Sequence, residues 1–384
     1  MRALIVTPRL PWPPIDGGRI AMARLAEGLV RAGAEVEILS LNPRKHRAAA
    51  TPPIPTQAID IDTSRIVAPV FAKGIPFIVA RFVSDEFRDA LTTKLRRFAP
   101  DVVQIESPFL LPYVDVVRRE CSARVVLRSL NVEFRIWEGL ARIERNRLRR
   151  FALRRIAASL RKYEIRQLNA PDAIAAISRD DADEFRRLGA TRPIHIVPCG
   201  VTRSEPIRDA SIANSVGFIG SLDFRPNQEA VAWIVDELWP RVLERVPEAR
   251  LSIAGSGVPA WLRRRMNDVD FRGTVDDATV FMNSMSVMIA PLFAGGGMRI
   301  KVLEAMALAK PIVATKLGAG GLDVEHGRDI LIADDAASFA DAVALLLRDP
   351  QTAARIGDAA RETVRSRYDN DALAGGLLTF YESL

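Results

Sequence analysis

Short apolar runs recur along this chain, each followed by turn residues and then by apolar residues at helical spacing. That alternation limits the possible folds more than any other feature. "ALIVT" at 3–7 is apolar almost throughout and too short for a helix, the pattern of a strand covered on both faces. Pro8, Pro11, Pro13 and Pro14 end it. The next segment, "DGGRIAMARLAEGLVRAGAEVEIL", opens on a turn and continues with Ile20, Ala23, Leu25 and Leu29 on one helical face. Gly33 stops the helix and a strand is predicted at 35–39. Strand, helix and strand in this order form a β-α-β unit, and such units build parallel sheets. Further strands are predicted at 101–105, 124–128 and 172–177, with one long helix from about 135 to 168 between the last two.

The second half repeats the style. Strands are predicted at 215–220, 249–255, 269–273, 286–292 and 310–315, separated by helical patterns at 227–246, 259–266, 277–284 and 299–307. The polar, turn-rich stretch 198–215 is the linker candidate. With 384 residues, two to three domains are expected. The division read here is a domain at 1–200, a second at 201–369, and a short helix at 370–384 with the option of crossing back to the first.

Composition excludes several classes. Apolar residues make up 48% and charged residues 26%, so the chain is globular rather than disordered. Cys121 and Cys199 are too few for a disulfide framework and have no metal-ligand spacing. His46, His195 and His326 lie far apart, which disfavours a histidine metal site and leaves a Ser-His-Asp hydrolase few candidates. No secretory signal is read at the start, and the apolar stretch 74–83 is too short and too charged to span a bilayer. A cytoplasmic protein is the expectation.

The net charge of +7 attracts polyanions, nucleotides or anionic lipid. The excess is concentrated at 142–166, where ten Arg or Lys face two Glu. This segment reads either as a solvated helix face or as an interfacial helix on anionic lipid. Nucleic acid is disfavoured, because aromatic residues hardly interleave with the charges.

One segment carries chemistry. "AGGGMRIKVLEAMALAKPIVAT" at 294–315 follows a predicted strand and leads into a helix predicted to start near Met298. The helix should stop by Lys310, because Pro311 excludes helical geometry for the residue before it. Ile300, Leu303, Met306 and Ala307 face the core. The glycines therefore sit at a helix N-terminus, where unpaired N–H groups converge and the dipole is positive. Without a Cβ they admit an anion to the backbone. Arg299 and Lys301 oppose the helix dipole, at about a few tenths to 1 kcal/mol each, unless an anion offsets them. That mismatch points to a bound phosphate, most readily a diphosphate. Glu304 lies at the edge of the apolar face and needs donors, which ligand hydroxyls or Lys301 could provide. A plain flexible loop with a Lys301–Glu304 surface pair is the structural alternative. Neither a Walker A loop nor a GxGxxG dinucleotide fingerprint is present.

On this segment, and on "GFIGSLDFRPNQEA" at 217–230 and "EHGRDILIADD" at 325–335, the chain resembles a GT-B glycosyltransferase of the family 4 type. The resemblance spans nearly the whole chain. It implies an α/β protein of two Rossmann-like domains facing a central cleft, and transfer of a sugar from a nucleoside diphosphate sugar, UDP- or GDP-linked, to a glycan or lipid-linked acceptor. Retention at the anomeric carbon, no cofactor and no metal are also implied. By the same resemblance, Glu304 accepts hydrogen bonds from the donor ribose. The backbone of Gly296, Gly297, Met298 and Arg299 holds the diphosphate, and Val275 lies near the base. Arg225, past Gly220, is the available second phosphate contact, with an exposed loop arginine as the alternative. Arg225, Arg299 and Lys301 would stabilise the leaving diphosphate. Gly17 and Gly18 match the pair that lets the first helix approach phosphates and acceptor. The basic segment 142–166 would bring such an enzyme to the inner face of the membrane.

The sequence departs from the family at two places. Gly296 stands where many relatives carry a further Glu, and Leu130 stands where a His often precedes an Asn-x-Glu stretch. Asn131, Glu133 and Glu106 are the remaining polar candidates on the acceptor side, with structural capping as the alternative for each. A non-catalytic nucleotide-sugar-binding protein and a sugar-nucleotide epimerase stay open as other readings.

Overall fold

The computed structural model describes residues 1–44, 47, 51–64, 75–202 and 211–384. His46, residues 203–210 of the linker candidate and the start of the apolar stretch at 74–83 fall outside the described residues. The chain divides into two compact units. The first comprises Met1–Gly200, Gly296–Met298 and Asn370–Leu384, and the second Val201–Gly295 with Arg299–Asp369.

The first unit is built on a parallel sheet of β1 (Arg2–Thr7), β2 (Glu35–Pro43), β3 (Thr56–Ile61), β4 (Val102–Ile105), β5 (Arg124–Ser129), β6 (Ala173–Ala176) and β7 (Ile194–Ile196). Their order is β3-β2-β1-β4-β5-β6-β7. Strand alternation sends Leu4 and Val6 into one apolar layer and Ala3 and Ile5 into the other. Both faces are covered, so the strands read as continuous apolar runs. The C-terminal helix Asn370–Glu382 lies against this sheet through Ala374, Leu377 and Tyr381, in the layer that also holds Ala23, Ala26 and Leu29 of helix Gly17–Arg31. Asn370 Nδ2 donates to the Arg24 carbonyl at 2.7 Å and fixes the start of that packing.

The second unit repeats the topology. Its strands are β8 (Ser215–Ile219), β9 (Arg250–Ala254), β10 (Asp270–Gly273), β11 (Val287–Ala290), β12 (Ile312–Ala314) and β13 (Leu331–Ile332). They are parallel, in the order β10-β9-β8-β11-β12-β13. This is the doubly wound arrangement of nucleotide-binding α/β folds.

Three local predictions need correction. The long helix expected at 135–168 is two helices, Glu133–Ile143 and Arg147–Gln167. Asn146 breaks it by capping the second, its Oδ1 accepting from the N–H of Leu148 and of Arg149. The helical pattern at 227–246 contains a π turn at Ile234–Leu238, in which the Trp239 N–H reaches back to the Ile234 carbonyl. Pro240 causes it, having no N–H to donate and a ring that displaces the carbonyl four residues back. The glycine-loop helix runs only from Ile300 to Ala307, later than its predicted start. Its C-terminal side closes with Ala309 in the left-handed region, φ 54°.

Candidate functional site

In the second unit β8 and β11 are neighbours, although the chain builds β9 and β10 on the other side of β8 before it returns to β11. Strand order reverses there, and open α/β sheets hold their ligands outside the carboxyl ends of strands at such a point. The segments that leave β8 and β11 carry most of the residues singled out from sequence.

After β8 the Gly220 N–H donates to the Ala254 carbonyl at 3.0 Å, and Asn227 Nδ2 donates to the Ser221 carbonyl at 2.8 Å. These bonds hold the turn that delivers helix Arg225–Trp233. Arg225 stands at its first position, with Nε 3.5 Å from Glu229 Oε1. After β11, Phe293 packs edge-on against Trp233 of that helix at 5.1 Å between ring centroids, which ties the two segments together.

Arg299 then precedes helix Ile300–Ala307. Its Nε donates to the Leu317 carbonyl at 3.2 Å. Its guanidinium lies over Gly295, where a Cβ would stand 3.3 Å from Nη2. Neither this helix nor Arg225–Trp233 has a side-chain N-cap or an acidic residue in its first turn. The helices that begin at Gly17, Asp85, Arg147, Ala278, Ala336 and Pro350 are capped by Asp, Ser or Asn; those at Val114 and Glu133 lack a side-chain cap but carry an acid in the first turn, and the four-residue helices at Phe77 and Ala260 have neither. Two starts with cations and no cap side chain thus lie beside each other at the switch point, a combination suited to an anion.

Glu304 and Lys301 form an ion pair at 3.0 Å, with side chains 13% and 34% exposed. The surrounding Ile300, Leu303, Ala305 and Met306 are buried. The carboxylate is therefore held in one orientation at the edge of an apolar helix, with one oxygen on the ammonium.

The other predicted residues are placed differently. Val275 follows β10, at the edge of the sheet and two strands from β8, and is partly buried. Gly296, Gly297 and Met298 group with the first unit. Met298 Sδ accepts from the Cys199 N–H at 3.3 Å. Gly297 has φ 67°, and a Cβ on it would overlap Asn131 Oδ1 and lie 2.7 Å from the Leu130 carbonyl. Only glycine fits on both counts.

The first unit has its own strand-order reversal, between β1 and β4. Gly17 and Gly18 open helix Gly17–Arg31 there, capped by Asp16, whose Oδ1 accepts from the Arg19 N–H at 3.1 Å. Arg9 Nη2 donates to the same oxygen at 2.8 Å, and its guanidinium occupies the space a Cβ on Gly18 would need. Arg9 was not predicted from sequence. The available signal was a cation in the loop between the first strand and the glycine pair. Arg19 is buried beside it, and desolvation lowers its pKa against the opposing pull of Asp16.

Of the polar candidates on this side, Glu106 is structural. It is buried, pairs with the fully buried Arg128 at 2.9 Å and accepts from Gln104, which in turn takes the Tyr381 hydroxyl. Glu133 opens helix Glu133–Ile143, and Glu164 receives the N–H of Glu133 at 3.0 Å and of Phe134 at 2.9 Å. Burial, and then the neighbouring Glu164, push the Glu133 carboxyl up to about 8, while Asn131 and Arg9 pull it down. Burial raises Glu164 as well, although its two N–H donors favour the charged form. Both carboxyls are raised, and the two backbone N–H donors on Glu164 favour ionising it first, so Glu133 keeps its proton to the higher pH.

A carboxyl raised on folding stabilises the fold most below the ordinary carboxylate range. That contribution is lost as pH rises through about 8. Glu133→Gln should match the parent in stability at pH 5 and exceed it at pH 9, by on the order of 1 kcal/mol. Equal differences at both pH values in a melting series would contradict the assignment.

Among the described residues no helix is long and apolar enough to cross a membrane.

Comparison with known proteins agrees with this fold. The family model "Glycosyltransferase Family 4" matches residues 15–205, and "Glycosyl transferases group 1" matches residues 213–349. A phosphatidyl-myo-inositol mannosyltransferase of Mycobacterium leprae is 32% identical over 181 residues, covering 45% of this chain and 47% of that protein. The chain spans about half the length of the curated relatives it matches. Among solved structures, sucrose-phosphate synthase from Thermosynechococcus elongatus superposes with a TM-score of 0.75 at 17% identity, over 100% of this chain and 99% of that one. Anabaena HepE in complex with UDP superposes with a TM-score of 0.69 at 14% identity, over 100% of both chains. The two family models follow one another along the chain, one on each doubly wound unit, and the chain belongs to the GT-B glycosyltransferases of the family 4 and group 1 type.

Proposed function

We propose that this protein transfers a sugar from a nucleoside diphosphate sugar to a glycan or lipid-linked acceptor, with retention and without a metal. The second unit takes the donor. The observation that carries this reading is the pair of helix starts without side-chain caps, at Arg225 and at Arg299–Ile300, beside the oriented Lys301–Glu304 pair.

In this reading the helix N–H groups and the Arg299 and Arg225 guanidiniums receive the diphosphate. Glu304 accepts from the ribose hydroxyls, and Lys301 both orients Glu304 and adds positive charge. Gly296, Gly297 and Met298 continue the backbone cradle, and Val275 borders the base. When the anomeric C–O bond breaks, its electron pair leaves on the diphosphate, the acceptor oxygen bonds to the anomeric carbon on the same face, and the acceptor's hydroxyl proton passes to an oxygen of the leaving diphosphate. The protein's main contribution is fixed positive charge where negative charge grows, worth about 10²–10³ in rate per well-placed donor. Gly17, Gly18, Arg9 and Glu133 belong to the acceptor side. The named activity of the mannosyltransferase relative supports a lipid-linked acceptor, and the UDP in the HepE complex supports a nucleotide donor.

A thermal-shift panel of UDP, GDP, ADP and their sugars tests the reading, followed by turnover of whichever donor stabilises the protein. The expected result is stabilisation by one nucleotide family and release of its diphosphate. Gly296 and Leu130 favour a second reading, a donor-binding protein without transferase activity. Stabilisation with no turnover or donor hydrolysis would decide for it, and no stabilisation by any nucleotide would remove both.

A further inference from the structure

Asn131 does not cap the helix that follows it. Helix Glu133–Ile143 is preceded by Val132 without a side-chain cap, and its first two N–H groups go to Glu164. The Asn131 backbone is fixed by Ser129, whose Oγ donates to the Asn131 carbonyl at 2.6 Å. Its side-chain amide hydrogen-bonds the Glu133 carboxyl in the sense that favours the ionised form, so the N–H group donates. The amide oxygen is then turned the other way. It is the atom nearest to the Cβ position of Gly297, with the Leu130 carbonyl beside it.

The glycine loop needs such support. Glycine loses more freedom on ordering than any other residue, and Gly295 and Gly297 both stand at positive φ, 118° and 67°. Three glycines in a row have no side chains with which to hold themselves, so their neighbours supply the contacts. A Cβ on Gly296 would lie 3.2 Å from Ile136 Cγ1, and the Cys199 N–H donates to Met298 Sδ. Ile136 bears on the loop from a helix, and Cys199 acts through its backbone. Asn131 acts through a side chain that is itself fixed.

We propose that Asn131 is the positioning residue of the glycine loop, held by Glu133 at one end of its amide and bearing on Gly297 with the other. It fixes one conformation of residues 296–298, one peptide bond ahead of Arg299. Preorganisation of this kind spares a ligand the cost of ordering the loop. The consequence for the ligand rests on the reading of residues 296–299 as a diphosphate cradle, whereas the order of the loop does not.

The test is hydrogen exchange on the full chain without ligand, read in peptides covering 294–303 and in peptides from β1 and β4, together with titration of UDP and GDP. Asn131→Ala is expected to speed exchange in the loop on the order of tenfold and to leave β1 and β4 at the parent's rate. Glu133→Ala should do the same. Glu133→Gln, whose amide oxygen still accepts from Asn131, should keep the parent's rate. The nucleotide that binds the parent should bind Asn131→Ala about tenfold more weakly. Loop exchange at the parent's rate in Asn131→Ala would overturn the proposal. So would equal acceleration in β1 and β4, which marks loosening of the whole fold, and so would faster loop exchange with unchanged nucleotide affinity. Failure of both nucleotides to bind the parent would remove the cradle reading and leave the exchange rates to decide the proposal.

Discussion

Glu304→Ala is expected to abolish stabilisation by the nucleotide donor and to lower its affinity by about 10²–10⁴, since a hydrogen bond to a charged group is worth about 1.5–3 kcal/mol and two ribose hydroxyls would lose theirs. The side chain is 13% exposed and already held by Lys301, so it meets the ligand without having to be ordered first. Truncation also leaves the Lys301 ammonium without its counter-charge. Glu304→Gln keeps the shape and one acceptor oxygen and should fall between the two. Isothermal titration with the donor found in the thermal panel measures this. An alanine variant within about threefold of the parent affinity would show that Glu304 serves only its ion pair with Lys301.

Arg128→Met should destabilise the fold by about 3–5 kcal/mol, because it strands Glu106 in the interior of the first unit. Both side chains of this pair are 0% exposed. The pair lies in a buried chain with Gln104 and Tyr381, which links the C-terminal helix to the middle of the sheet. Burial raises the Glu106 carboxyl even in the presence of Arg128, so without the arginine it takes up a proton more readily. The folded state then binds a proton that the unfolded state releases, and stability falls as pH rises. The loss should therefore be larger at pH 8 than at pH 5, and Glu106→Gln added to Arg128→Met should recover part of it. Urea denaturation at the two pH values provides the measurement. A single variant within about 1 kcal/mol of the parent at pH 8 would show that the pair is dispensable.

Much of the architecture was legible because its signals are local. "ALIVT" with Gly-Gly and a helical apolar stripe after it specifies β1 and the helix behind it without any distant information. β3, β7 and β13 were missed. β3 alternates polar and apolar residues at a sheet edge, and β7 and β13 have only three and two residues, so their pattern is too short to stand out. The break at Asn146 and the π turn before Pro240 had signals in the sequence, a cap residue and a proline, but a continuous helical periodicity outweighed them.

At the candidate site the sequence named Arg225, Arg299, Lys301 and Glu304, and the fold places the segments carrying them at one strand-order reversal. Arg9 was not visible, because its role comes from lying over Gly18 and on Asp16. Glu106 could not be told from a cleft residue, because its partner Arg128 is twenty-two positions away.

The amino-acid sequence alone determined that this chain makes two parallel doubly wound units, and that glycine, cation and carboxylate meet at the start of one helix. Periodicity, proline and glycine act over a few residues, and that range is enough for both conclusions. Only the tertiary structure decided that Gly296–Met298 and the C-terminal helix group with the first unit, that Glu106 is consumed by Arg128, and that Leu148 and Phe151 are left outside. Those outcomes depend on which distant surfaces are covered, and burial is a property of the whole packing that no local pattern encodes.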